Sequence, residues 1–265
     1  MTEAELDAAW TKALEFHKAG QPAEAEALYR QMLAAQDGLP AVWYHLGLVQ
    51  WHQGKIPDAG TAIEKALALK PDFAEALLAR SELLMMINHP SDAMQSLDQL
   101  VALEPGNEKA WILRSGALLL MNRLEEALDG VDRVLALNPG NADALANRGA
   151  VLQKLKKHEE SLETLNKALA MRPGDARMLE MRGVTLAWMG RKEEAIRDLD
   201  AAVAAAPDLV TAHYNRAAVL GELMRYEEAV NEYDRVLAEI PDHAEAERQR
   251  QMMIAMINKR GTAAN

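Results

Sequence analysis

Apolar residues in this chain fall into short blocks of helical period, and the blocks follow a repeating cadence. The stretch "ALALKPDFAEAL", Ala66 to Leu77, closes one block and opens the next. The same punctuation returns as "VALEPGNEKAW" from Val101, "LALNPGNADAL" from Leu135 and "LAMRPGDARML" from Leu169. Pro71, Pro105, Pro139, Pro173, Pro207 and Pro241 stand 34 residues apart without a slip. Proline cannot continue a helix, and it pushes the residue before it out of the helical region. Each proline therefore ends one helix and opens the next, with Asp or Gly-Asn beside it to turn and cap. A second break falls near the middle of each period, at "HQGKIP", "INHPS", "MNRLEE", "LKKHEE", "MGRKEE" and "LMRYEE". The pattern predicts helix, tight turn, helix, tight turn, and no strand pattern competes with it.

Small residues recur in the same register. Gly47, Ser81, Ser115, Gly149, Gly183 and Ala217 occupy one place in successive first helices, and Ala59, Ala93, Ala127, Ser161, Ala195 and Ala229 one place in successive second helices. Small side chains at fixed places let two helices approach closely. Each pair then leaves an apolar face that only the next pair can cover, so the repeats stack. A 34-residue helix pair of this kind resembles the tetratricopeptide repeat family. The best single match is Pro40 to Phe73, where Trp43, Leu46 and Gly47 open the first helix and Ala59, Ile63, Ala66 and Pro71 complete the second. Gln50 departs from the pattern, which has an aromatic there. Counting periods predicts seven repeats, 6–39, 40–73, 74–107, 108–141, 142–175, 176–209 and 210–243, with a capping helix over 244–260. Repeat one is the weakest, with Asp37 where the proline should stand, although Ala13, Phe16 and Ala25 hold the register. The resemblance implies an all-α fold, a right-handed α–α superhelical solenoid occupying 1–265 as a single domain.

Two charged series sit on this frame. Second helices open with Glu125–Glu126, Glu159–Glu160, Glu193–Glu194 and Glu227–Glu228, which suit the positive end of a helix dipole. Pro22, Pro57 and Pro90 near the same place fit the first-turn preference of proline. Just before the small residue of the first helix, where the family usually has Leu, the chain has Arg80, Arg114, Arg148, Arg182 and Arg216, and Arg250 continues the series. Second helices carry Asp98, Asp132, Asn166, Asp200 and Asp234 at one equivalent place, and the repeat with Leu46 has Glu64 there. Pairing within each repeat makes a structural arginine ladder, in which Arg148, facing Asn166, is the weakest rung. The competing reading is a basic ladder open to an acidic ligand.

In the family the first helices line the concave surface, where ligands lie. Read at i, i+3, i+7, i+10 and i+11, that face in repeats two to four collects Tyr44, Leu48, Trp51, Leu78, Met85, Met86, Ile112, Leu119 and Leu120. The last three repeats are more polar there, with Asp143, Lys154, Arg177, Glu180, Thr211 and Glu222, although Trp188 adds an apolar anchor. An apolar patch of this size marks an interaction site, and Met beside aromatics suits an adaptable groove. A one-residue error in facing would instead turn these residues into core. The expected partner is a protein or peptide with apolar anchors. The family's chaperone-tail mode lacks its basic cluster here, and the asparagine ladder of its sugar-transferase mode is broken, with only Asn147 and Asn215 in place.

Composition narrows the function further. Almost half of the 265 residues are apolar, mostly Ala, Leu and Met, with only two Phe, five Tyr and five Trp, the palette of packed helices rather than sheets. Net charge is 29 − 40 = −11, which disfavours nucleic acid and anionic membranes as partners. There is no cysteine, so disulfides and thiolate metal sites are excluded. No apolar run reaches membrane length, and with no leader-like start the default compartment is the cytoplasm. Phosphate loops, nucleophile elbows and His-Glu-x-x-His motifs do not occur. His45 and His52 share a helix but lie too far apart to chelate together. The sequence thus points to a non-catalytic, cofactor-free scaffold or adaptor. Two alternatives remain: the substrate-recruiting arm of a bacterial glycosyltransferase or other enzyme whose catalytic part lies elsewhere, and a self-assembling scaffold.

Overall fold

The computed structural model describes residues 1–263. Among them lie seven helix pairs and a final helix. The pairs are α1 Glu3–Lys18 with α2 Pro22–Ala35, α3 Pro40–His52 with α4 Ile56–Leu69, and α5 Ala74–Met86 with α6 Pro90–Leu103. They continue with α7 Glu108–Leu120 and α8 Leu124–Leu137, α9 Ala142–Lys154 and α10 His158–Met171, α11 Ala176–Trp188 and α12 Lys192–Ala205, α13 Val210–Glu222 and α14 Tyr226–Glu239. The last is α15, Ala244–Ala263. From α3 onward every first helix starts where the proline period predicts. The first starts earlier than residue 6, because Thr2 and Glu5 close a reciprocal capping box ahead of it.

The local reasons match the chemistry of the breaks. After the period prolines, Asn107, Asn141 and Asp175 accept the backbone N–H three residues on, at 3.0, 3.0 and 3.1 Å, and so cap α7, α9 and α11. Pro22, Pro57 and Pro90 stand in the first turns of α2, α4 and α6. The mid-period break is a left-handed residue: Gly20, Gly54, Asn88, Asn122, Lys156, Gly190 and Met224 all have φ between 58° and 78°. Glycine and asparagine take that conformation cheaply; Lys156 and Met224 do not.

Two compact units divide within α8, at Gly130 and Val131. In the first, residues 1–130, Ala13, Ala25, Tyr29, Leu46, Val49 and Ala62 form one buried cluster, and Ile63, Ala66, Ala76 and Ala79 another. In the second, Leu186, Leu199, Leu220, Tyr233, Val236 and Met253 lie in the main cluster. Within each unit consecutive helices pack side by side. Close neighbours between successive pairs also include first helices, α5 with α7 in one unit and α9 with α11, α11 with α13 and α13 with α15 in the other. A Cβ on Gly183 would come within 2.9 Å of Leu199 and 3.2 Å of the Ala195 carbonyl, and one on Gly47 within 2.8 Å of Ile63. The glycines are therefore contact points between the two helices of a pair.

Candidate functional site

The first-helix face of residues 1–130 brings together nine of the ten expected partner-contacting residues. Tyr44, Leu48 and Trp51 on α3 are half-buried, packed on the Ile63, Ala66, Ala76 and Ala79 cluster. Leu78 on α5 packs on Leu77, Leu100 and Ala110. Met85, Ile112 and Leu119 are also half-buried. Met86 and Leu120, which end α5 and α7, are 52% and 58% exposed. Most of the expected patch is thus divided between core support and surface, with Met86 and Leu120 its freely accessible members. Tyr44 touches Phe73 at 5.1 Å between ring centroids. Burial first, then the Glu75 and Glu82 carboxylates, push its phenol pKa up. Glu82 is itself ion-paired with Lys109. Trp188, the tenth residue, lies in the other unit. It is 55% exposed at the end of α11, and its ring tilts against His158 at 5.3 Å.

Sequence reasoning missed a histidine cluster in the same unit. His17 in the last turn of α1 places Nε2 3.3 Å from Nδ1 of His52, at the end of α3. His45 stands beside them, its ring 6.1 Å from His17 and in contact with Trp10, Tyr29 and Tyr44. Burial, and then the charge of His17, hold the His45 pKa down to about 4. Burial and then His52 lower that of His17. The useful signal was a separation of 35 rather than a spacing within one helix, because stacked first helices bring residue i beside i+35.

In the second unit polar side chains join successive first helices, and one pair, Glu180 and Asn215, spans the same 35 residues. Asn215 Nδ2 donates to Glu180 Oε1 at 2.8 Å, and Thr211 Oγ1 donates to Glu180 Oε2 at 3.0 Å. Burial nevertheless raises the Glu180 pKa. Gln153 Nε2 donates to the Met181 carbonyl and to Thr185 Oγ1, each at 2.6 Å.

The arginine series forms rungs, but with a different partner from the one expected. Arg114 reaches Asp98 at 2.7 Å, Arg148 reaches Asp132 at 2.8 Å, and Arg250 reaches Asp234 at 2.5 Å, each 16 residues back in the preceding repeat. Arg182 reaches Asn166 in the same way, at 2.9 Å. Arg216 sits 2.6 Å from Asp200, an ion pair by distance without an aligned hydrogen bond. The expected pairing within a repeat is therefore wrong by one period. Arg148 is not the residue that faces Asn166, and it also donates to Thr164 at 3.0 Å. Arg80, Arg148, Arg182 and Arg216 also reach forward, 16 residues on into their own second helices. Arg80 donates to Ser96 at 2.9 Å, Arg182 grips Asp198 at 2.6 and 2.7 Å, and Arg216 donates to Glu232 at 3.0 Å. Arg148, Arg182 and Arg216, held on both sides, tie one repeat to the next and are committed to internal partners.

Among the described residues no group of three or more His, Asp or Glu is arranged to hold a metal ion. No described helix is long and apolar enough to cross a membrane. Two tetratricopeptide repeat family models match the chain, one over residues 11–74 and 180–246, the other over 51–116 and 118–183. The chain belongs to the tetratricopeptide repeat family. Proteins of this family are in general protein-interaction scaffolds. No curated protein matches the sequence. Among solved structures, a tetratricopeptide repeat protein from Parabacteroides merdae superposes with a TM-score of 0.80 at 17% identity, covering 94% of this chain and 98% of that one. PilF of Pseudomonas aeruginosa gives a TM-score of 0.65 at 18% identity, covering 82% and 97%. MamA gives 0.55 at 26% identity, covering 63% and 91%. The first two likenesses are of fold.

Proposed function

We propose that this tetratricopeptide repeat protein is a non-catalytic, cytoplasmic scaffold whose seven helix pairs act as one array. Its partner is a protein segment with apolar anchors, which lies along the first helices α3, α5 and α7. The observation that carries this reading is the pair Met86 and Leu120: equivalent residues of successive first helices, both large, apolar and more than half exposed. Half-buried Trp51, Met85 and Leu119 lie one residue before His52, Met86 and Leu120 and widen the strip. An unbranched thioether beside aliphatic and aromatic groups adapts to different anchors. Burying about 500 Å² of apolar surface would supply roughly 12 kcal/mol gross. Association costs of about 4–15 kcal/mol offset much of that and leave affinity in the micromolar range. An amphipathic helix or an extended segment fits such a strip, and the net charge of −11 favours one with basic flanks.

The test is affinity capture with the wild type beside a Met86→Glu, Leu120→Glu double variant. These two side chains are exposed, so the variant should keep its helicity and Tm, whereas Trp51→Glu would also disturb the core it packs on. A protein retained by the wild type and lost by the variant supports the reading. Equal retention by both overturns it. A mass that rises with protein concentration and falls back in the variant would show that the strip joins copies of this chain.

A further inference from the structure

We propose that His17 and His52 form a binding site for a borderline divalent transition-metal ion, Zn²⁺ or Ni²⁺, that clamps the first repeat to the second. His17 Nε2 and His52 Nδ1 are 3.3 Å apart, on two different helices. Two imidazole nitrogens that share a tetrahedral ion at about 2.05 Å are separated by about 3.3 Å. In the metal-free chain the two nitrogens share a hydrogen bond, one N–H donating to the other's lone pair. An ion would replace that proton, with both imidazoles neutral and each ring, now at 66° with centroids 5.4 Å apart, turning its lone pair toward the ion. His52 is exposed and His17 half-buried, which leaves an entry path and freedom for that rotation. The chain has no cysteine, so no thiolate competes for a borderline ion, and imidazole is the ligand type that suits Zn²⁺ and Ni²⁺.

The stacking geometry makes the site. His52 follows His17 by 35 residues, the separation that also joins Glu180 to Asn215 in the second unit. His45, beside the pair, has a buried Nδ1 without a hydrogen-bond partner. Its ring, 6.1 Å from that of His17, lies just outside the distance between the two proposed ligands. Among the described residues no three His, Asp or Glu side chains are grouped to hold an ion, so His45 lines the site beside the two ligands. Two protein ligands leave coordination positions for water or for a carboxylate or imidazole from outside. His52 holds the place in α3 that Met86 and Leu120 hold in α5 and α7, so those positions open at the end of the apolar strip. The site itself does not depend on the strip's having a partner.

The experiment is isothermal titration of the full, untagged chain with ZnCl2 and separately with NiCl2, together with melting curves in each metal. The expected result is saturable binding of one ion per chain and a rise in Tm. His17→Ala and His52→Ala should each weaken binding by about tenfold or more and abolish the rise in Tm. His89→Ala removes an exposed histidine paired instead with Asp92 and should change neither. His52→Ala lies on the surface at a helix end and guards against a result caused by misfolding. The proposal is overturned if the wild type does not bind, or if it binds equally well without His17 and His52.

Discussion

Where α3 carries Tyr44, α11 carries Glu180; where α5 and α7 end in Met86 and Leu120, α9 ends in Lys154 and α13 in Glu222, and of the second unit's first helices only α11, with Trp188, ends in an exposed apolar residue. The first-helix faces of residues 1–130 and 131–263 occupy the same places of the same repeat and have different chemistry. One is apolar, with three imidazoles at its edge. The other is wired by Glu180, Thr211 and Asn215 and by Gln153 with Thr185. The repeat therefore constrains the residues between the helices of a pair, Gly183 against Leu199 for example, and leaves the outward positions of the first helices to vary. The arginine rungs differ between the units too. In the first, Arg80 reaches forward to a hydroxyl, Ser96. In the second, Arg148 also reaches a hydroxyl, Thr164, whereas Arg182 and Arg216 reach forward to carboxylates that are only 11% and 7% exposed.

That contrast in the rungs predicts the largest effect. Glu232 accepts from Arg216 and from the buried His213, whose Nδ1 lies 2.5 Å away. Glu232→Ala leaves the buried His213 without its carboxylate and Arg216 with Asp200 alone, and should cost about 3 kcal/mol in urea unfolding. Asp98, whose side chain is 55% exposed beside Arg114, should cost only about 0.5 kcal/mol when changed to Ala. Equal losses would erase the distinction between the buried forward partner and the exposed backward one. On the apolar face, Met86→Glu with Leu120→Glu should weaken partner binding by about tenfold to a hundredfold, while Lys154→Glu with Glu222→Lys in the other unit should leave it unchanged. Binding measured by titration of the captured partner separates the two. A smaller effect concerns the left-handed turns. Met224 has φ 59° where Gly54 has 75°. Met224→Gly should raise stability by about 1 kcal/mol, and Gly54→Ala should lower it by about 1 kcal/mol.

The smallest effect is electrostatic. Burial raises the Glu180 pKa above its ordinary value, so the folded state holds its proton more tightly than the unfolded chain does. The stability this provides is complete below the ordinary carboxylate pKa and is lost as pH rises through the folded value. Glu180→Gln should therefore raise Tm slightly at pH 7, and the difference from the wild type should vanish at acid pH. A difference that stayed constant across this range would assign the effect to packing instead.

Much of this architecture was legible before any coordinates, because it is written in residues whose backbone effects are local. Pro71 through Pro241 must end helices wherever they occur, and Asn107, Asn141 and Asp175 cap the next helix through bonds spanning three residues. The candidate face was legible in part. The period placed Tyr44, Met86 and Leu120 on one side of the first helices, yet it could not tell that Tyr44, Leu48 and Trp51 lean on the core while Met86 and Leu120 stand clear. That division depends on how closely α3 and α5 approach their neighbours. His17 and His52 escaped notice for a related reason: their proximity exists only when repeats are stacked.

The arginine rungs mark the boundary between the two kinds of information. Arg148 lies 18 residues before Asn166 and 16 after Asp132, and 18 + 16 is the 34-residue period itself. A periodic sequence offers the two partners as equivalents, so by itself it determined that arginines and carboxylates share a column and form a series. Only the tertiary structure decided which repeat supplies each carboxylate. A guanidinium on a long stem bonds the carboxylate that packing brings within about 3 Å, and here that packing carries the arginine across the joint to the repeat before its own.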